Sequence, residues 1–128
     1  MVGMVMSHLL ASGHDIRYNG YMNASRNYFI QTNKESYLLK WNMNEFKAAG
    51  LMIPELGKGP GMTISLQVYE SMREQKPNIL FATSNNDDKI YIISYDEMGR
   101  LSERYQQYGG EWVLVVLTKS LKEWNTST

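Results

Sequence analysis

Three apolar runs crowd into the last two-fifths of the chain: "NILFATS" from residue 78, "KIYIISY" from residue 89 and "EWVLVVLTK" from residue 111. Each is short, rich in β-branched and aromatic residues, and bounded by turn formers, so each predicts a strand. The first two are joined by the polar "NNDD" and predict a hairpin. The third is apolar on both parities, the pattern of a strand buried on both faces. Between the second and third runs, Met98, Leu101, Tyr105 and Tyr108 recur at helical spacing, with Asp96 as cap and Gly109-Gly110 as stop. A strand, a helix and a strand in this order predict a right-handed parallel crossover.

The first half supplies further elements. Met4, Met6, Leu9 and Leu10 predict an amphipathic helix over 3–12, capped by Gly13. "HDIRY" reads as an edge strand and "NGYMNAS" as a loop. "NYFIQT", "NKE" and "SYLLKW" form a strand, a turn and a strand. "NMNEFKAAG" predicts a short helix, with Asn42 or Asn44 as cap and Gly50 as stop. The glycine-rich residues 55–63 predict a flexible lid, hinge or insertion loop. Beyond them, Met62, Ile64, Leu66 and Val68 alternate as in a strand, while Ile64, Val68, Tyr69 and Met72 line a helical face. The helix-forming "YESMREQK" decides for helix. The expected architecture is one α+β domain over 1–128, with a mixed, mainly antiparallel sheet of about five strands flanked by helices.

At 128 residues and 43% hydrophobic content, the chain can bury a substantial core. It contains no cysteine, which excludes disulfides, thiolate nucleophiles and cysteine-ligated metals. Thirteen basic and thirteen acidic residues cancel, so charge does not indicate nucleic acid as a partner, although aromatic side chains could stack bases. No apolar run approaches the roughly 18 residues of a membrane span, and the start lacks the pattern of a signal peptide. The expectation is a cytoplasmic protein without cofactor or membrane association. Zero net charge also predicts a homodimer.

Candidate site residues are few. Lys58, within "GKGPGMTIS", invites an anion-cradle reading, but it lies inside the glycines rather than closing a phosphate loop, which favours a connector. His8 and His14, six apart, match no familiar ligand spacing. Asp87 and Asp88 in the "NNDD" turn, together with Asp96, are the candidate metal ligands, weighed against ordinary turn and capping roles. Phe29, Phe81, Tyr91 and Trp112 are assigned to the core. Trp41 and Trp124, at element ends, are assigned to a ligand or partner surface.

Over residues 63–118 the order helix, strand, strand, helix, strand resembles the core of PD-(D/E)xK nucleases. "KPNILFATSNNDDKIYIIS" is similar to that family's pattern of Pro-Asp, strand, turn and a strand ending in Glu-x-Lys. The resemblance implies a metal-dependent nuclease fold. Pro77 matches, but Asn78 stands in place of the Asp, and Ser94-Tyr95-Asp96 in place of Glu-x-Lys. An earlier alignment begins with helix 3–12 and uses "NYFIQT" and "SYLLKW". It puts Lys40-Trp41-Asn42 at that position. Neither keeps the acids and lysine that hold the metal.

The reading that follows is a small, non-catalytic binding or interaction domain, of an accessory or immunity type, whose partner is a protein or a small ligand. The alternatives are a metal-dependent nuclease using Asp87, Asp88 and Asp96, and a small-molecule-binding domain with a pocket under loop 55–63.

Overall fold

A computed structural model describes residues 2–22, 26–43, 46–83 and 89–124. Helix α1 (Val2–Ala11) is followed by strands β1 (Ile16–Tyr21), β2 (Asn27–Thr32) and β3 (Ser36–Met43). Next come α2 (Ala49–Met52), a 3-10 turn (Pro54–Leu56), β4 (Gly61–Ser65) and α3 (Leu66–Ser71). The chain continues through β5 (Asn78–Thr83), β6 (Ile90–Ile93), α4 (Tyr95–Leu101), β7 (Glu103–Gln106), β8 (Trp112–Leu117) and the two-residue β9 (Lys122–Glu123).

These strands form an α+β fold with two sheets. The larger has the order β1-β2-β3-β5-β6-β9, and the smaller β4-β8-β7. Every pairing is antiparallel except β3 with β5, so the larger sheet is mixed and mainly antiparallel, as expected. The larger sheet has six strands, in keeping with the expected sheet of about five, and a second sheet of three strands accompanies it.

Strand parity explains the layering. Tyr37 and Leu39 of β3, with Tyr28, Ile30, Leu80, Ala82 and Ile90, face Val5 and Leu9 of α1. Leu38 faces the other way and joins Phe29, Ile79, Phe81 and Ile93 against Met62, Ile64, Leu114 and Val116 of the smaller sheet. The outer face of that sheet, through Val113, Val115 and Leu117, packs on Ala49 of α2 and on Ile53 just after it. Strand β8 is continuously apolar because it is central in its sheet and covered on both faces.

Several sequence expectations require correction. Strand β8 does not complete a parallel crossover from β6; it lies in the other sheet, antiparallel to β4 and β7. The parallel crossover is β3 to β5, and it runs through α2, β4 and α3. The helix expected over 98–108 ends at Leu101, where Ser102 turns extended, and residues 103–106 become β7. Gly109 and Gly110, both at positive φ, form a hairpin turn rather than a helix stop. Residues 62–70 divide at Ser65: a strand precedes it, and its side chain caps the helix that follows. Asn42 belongs to β3, Ala48 precedes α2, and Gly50 lies inside that helix. Asn44 lies outside the described residues. Trp112 is 47% exposed and does not join the core, and Tyr91 only borders it. Residues 19–21 of the expected "NGYMNAS" loop extend β1. In α1 the buried residues are Val5 and Leu9, while Met4 and Leu10 are exposed.

Loop 55–63 is a folded connector rather than a lid. Gly50 N–H donates to the Gly59 carbonyl at 3.2 Å, and Thr118 N–H to the Pro60 carbonyl at 3.0 Å. The connector lies so close on α2 that a Cβ at Gly50 would meet the Gly57 carbonyl oxygen at 2.2 Å.

This contact gives a sign test. A helical Gly→Ala change ordinarily stabilises by about 0.5–1 kcal/mol. Gly3→Ala, with nothing within 4 Å of the new Cβ, should leave stability unchanged or raise it. Gly50→Ala should instead lower it by roughly 1–3 kcal/mol, because backbone must move. Urea denaturation midpoints of the two variants check the contrast.

Candidate functional site

In β3 the alternation that aims Leu38 at the smaller sheet aims Lys40 the same way. Its cross-strand neighbours are Asn27 in β2 and Phe81 in β5. An ammonium there needs acceptors, and β4 supplies them. Strand β4 is an edge strand whose residues 61, 63 and 65 present their backbone groups away from β8. Phe46 pairs with Gly61 at this edge, by hydrogen bonds of 2.6 and 2.9 Å. Two residues on, Lys40 Nζ donates to the Thr63 carbonyl and, at 3.2 Å, to Thr63 Oγ1. Lys40 therefore ties the larger sheet to the open edge of the smaller one.

Burial lowers the Lys40 ammonium to about 8; Glu111 nearby opposes this shift and Arg26 adds to it. Across the ladder Asn27 is 3% exposed, and its Oδ1 accepts no hydrogen bond from the described residues. A displaced lysine and an orphan acceptor thus stand side by side at one end of the seam between the sheets.

Thr63 also lines a cleft of about 450 Å³, with Phe46, Tyr105, Gln107 and Tyr108. Phe46 and Tyr105 meet edge to face at 5.4 Å, which presets one wall. Tyr108 is fully exposed in the β7–β8 turn. The volume falls in the range of small-molecule sites, roughly 300–1,000 Å³. The chemistry on offer is ring stacking, a hydroxyl and a side-chain amide, with the partly buried Lys40 ammonium behind Thr63.

A second cleft of about 460 Å³ is lined in part by Leu66, Tyr69, Glu70, Ser102 and Arg104. Its structural reading is stronger. Tyr69 and Tyr95 stack at 4.1 Å with planes 3° apart, and each hydroxyl donates to the other's carbonyl, at 2.8 and 2.6 Å. This reciprocal pair clamps α3 to α4. Burial raises both hydroxyls, Tyr95 to about 12. Glu70 and Arg104 face each other at 3.9 Å, both well exposed.

The residues singled out in the sequence do not converge. Lys58 is exposed on the connector and lines neither cleft. Trp41 packs on Tyr21 and Tyr28, on the α1 side of the larger sheet. Trp124 is on that side too, edge-on to His8 at 4.6 Å and against Tyr37 at the opposite end of β3. The two tryptophans thus flank separate ends of a covered face. His14 lies edge-on to Tyr37, with a buried Nδ1 that finds no partner among the described residues. Asp96 is in the first exposed turn of α4, 3.5 Å from Lys76. Asp87 and Asp88 lie outside the described residues. Ser94 is the N-cap of α4, accepting from Glu97 N–H at 3.2 Å, and the β5–β6 register brings Asn78 opposite it. Among the described residues, no three of His, Cys, Asp and Glu gather as a metal site. The signal that would have found Lys40 was available: a charged residue on the core-facing parity of an apolar strand.

Lys40 gives stability a pH dependence of definite sign. Its folded value near 8 lies below its unfolded value of 10.5, so between these the unfolded chain binds the extra proton and stability rises with pH. From pH 8 to 9.5 the gain is roughly 1–2 kcal/mol. Tyr37, Tyr69 and Tyr95, raised by burial, oppose it only above about pH 10. Urea denaturation across this window should show the rise in the native chain and lose it in Lys40→Met.

No family model matches the chain, and no curated protein or solved structure matches it at a significant level.

Proposed function

We propose that the chain is a non-catalytic binding domain, of the accessory or immunity type, and that it holds a small planar anion in the cleft beside Thr63, on the outer face of the smaller sheet. One observation carries this reading: Thr63 joins a partly buried ammonium to an aromatic-walled cleft. Flat rings provide stacking area without demanding one partner shape, and the cation behind them favours negative charge. Two of the three N–H donors of the Lys40 ammonium go to Thr63, which places its charge behind one wall of the cleft.

Binding is preferred to nuclease chemistry because the nuclease-like positions carry the wrong groups. Asn78 and Ser94 are neutral, and Asp96 is solvated and engaged by Lys76. A phosphodiester-cleaving metal site needs convergent carboxylates. A supercoiled plasmid incubated with magnesium or manganese should stay intact. Cleavage abolished by Asp96→Ala would replace the binding reading with the nuclease one.

The binding reading itself is checked by NMR titration with 1-naphthoate and its neutral carboxamide. Naphthoate should bind several-fold tighter, shift the resonances of Phe46, Thr63, Tyr105 and Gln107, and lose this advantage in Lys40→Met. Shifts confined to the Tyr69 cleft, or no binding of either probe, would overturn it.

A further inference from the structure

The aromatic cleft has a feature that a simple aromatic acid leaves unused. Gln107 lines it, half-buried, and its side-chain amide makes no hydrogen bond to another described residue. The adjacent Gln106 is by contrast engaged, donating from Nε2 to the Gly110 carbonyl at 3.2 Å. An amide offers one acceptor and two donors in a plane, the complement of the edge of a heterocyclic base.

The rings around Gln107 suit the faces of such a base. Tyr105 is held by its edge-to-face contact with Phe46, and so offers a preset surface. Tyr108 is exposed and is followed by Gly109 and Gly110, both at positive φ, which sets the hairpin turn that carries it beside the cleft. Base-on-ring stacking of this kind is tolerant of base identity. Lys40 lies behind Thr63, and of the charges that act on it Glu111 is felt more strongly than Arg26.

Resting on the reading of this cleft as a ligand site, we propose that its occupant is a nucleotide, with its base stacked on Tyr105 and Tyr108, the base edge on Gln107 and the phosphate toward Lys40. A free nucleotide and one unit of a single strand present the same chemistry. Since the chain has a net charge of zero, no long-range field favours the longer polyanion.

Calorimetry on the full chain tests this with adenosine and cytidine 5′-monophosphates, their nucleosides, 1-naphthoate and an eight-residue single strand. The monophosphates should bind at least about tenfold tighter than naphthoate, since base stacking and the amide both add to the anion contact. Gln107→Leu should cost them roughly tenfold more than it costs naphthoate. A phosphate near Lys40 favours its charged form. Monophosphate binding near pH 8 should therefore take up protons, seen as a heat that varies with the buffer's ionisation enthalpy. The nucleosides should take up none. This readout needs no variant, so a misfolded mutant cannot obscure it. Affinity that rises with strand length assigns the site to single strands; affinity equal to the monophosphates assigns it to free nucleotides. Naphthoate binding with monophosphates no tighter, and no proton uptake, would overturn the nucleotide assignment while leaving the cleft reading in place. Failure of every probe would remove both.

Discussion

Phe29, Leu38, Ile79, Phe81 and Ile93 of the larger sheet meet Met62, Ile64, Leu114 and Val116 of the smaller one, and most of the architecture follows from that seam. Each sheet has a second apolar face, which α1 covers on one side and the α2 region on the other. The burial of apolar area on this scale is the main favourable term in folding. The connector from β3 to β5 must cross the seam, so it contributes β4 and α3 to the far side. A simple crossover helix would leave the inner face of the larger sheet without its partner sheet.

At one end of the seam the apolar pattern stops and Lys40 begins. Removing an ammonium from water is costly unless it is hydrogen-bonded, and even then the charged form is disfavoured, which is why its proton is held less tightly. The same side chain satisfies a carbonyl on the open edge of β4, where an exposed row of backbone groups would otherwise invite pairing with another chain. A structural clamp and a partly buried cation beside a cleft are therefore the same residue. At the other end of the smaller sheet, the Tyr69–Tyr95 pair meets a comparable need by a different route. Two neutral hydroxyls cross-bond two helices, and Gly99 leaves room for it: a Cβ there would meet the Tyr69 hydroxyl at 2.6 Å.

How much of this was legible in the sequence differs from residue to residue. The strands at 27–32, 36–43, 78–83, 90–93 and 112–117 could be read because their period-two or continuous apolar patterns match what a sheet buries. Residues 98–108 misled because Tyr105 and Tyr108 fall on helical spacing by coincidence. Tyr105 sits in a strand against Phe46, and Tyr108 sits in a turn exposed to solvent. Gly109-Gly110 is as good a hairpin signal as a helix stop, and only the pairing of β7 with β8 chooses between them. None of the cleft residues stood out in sequence as a site candidate. Phe46, Thr63, Tyr105 and Gln107 come from three distant segments, each unremarkable alone.

Composition and local pattern determined that this chain makes a mixed α+β fold with a strand buried on both faces, because side-chain period is set by the backbone itself. They also determined that no cysteine chemistry is available. Which sheet that buried strand joins was decided by the tertiary structure, since sheet membership depends on partners far along the chain. So was the fate of Lys40. Its parity was written in "SYLLKW", but its burial, its bonds to Thr63 and its nearness to an aromatic cleft arise only when β4 is brought across the seam.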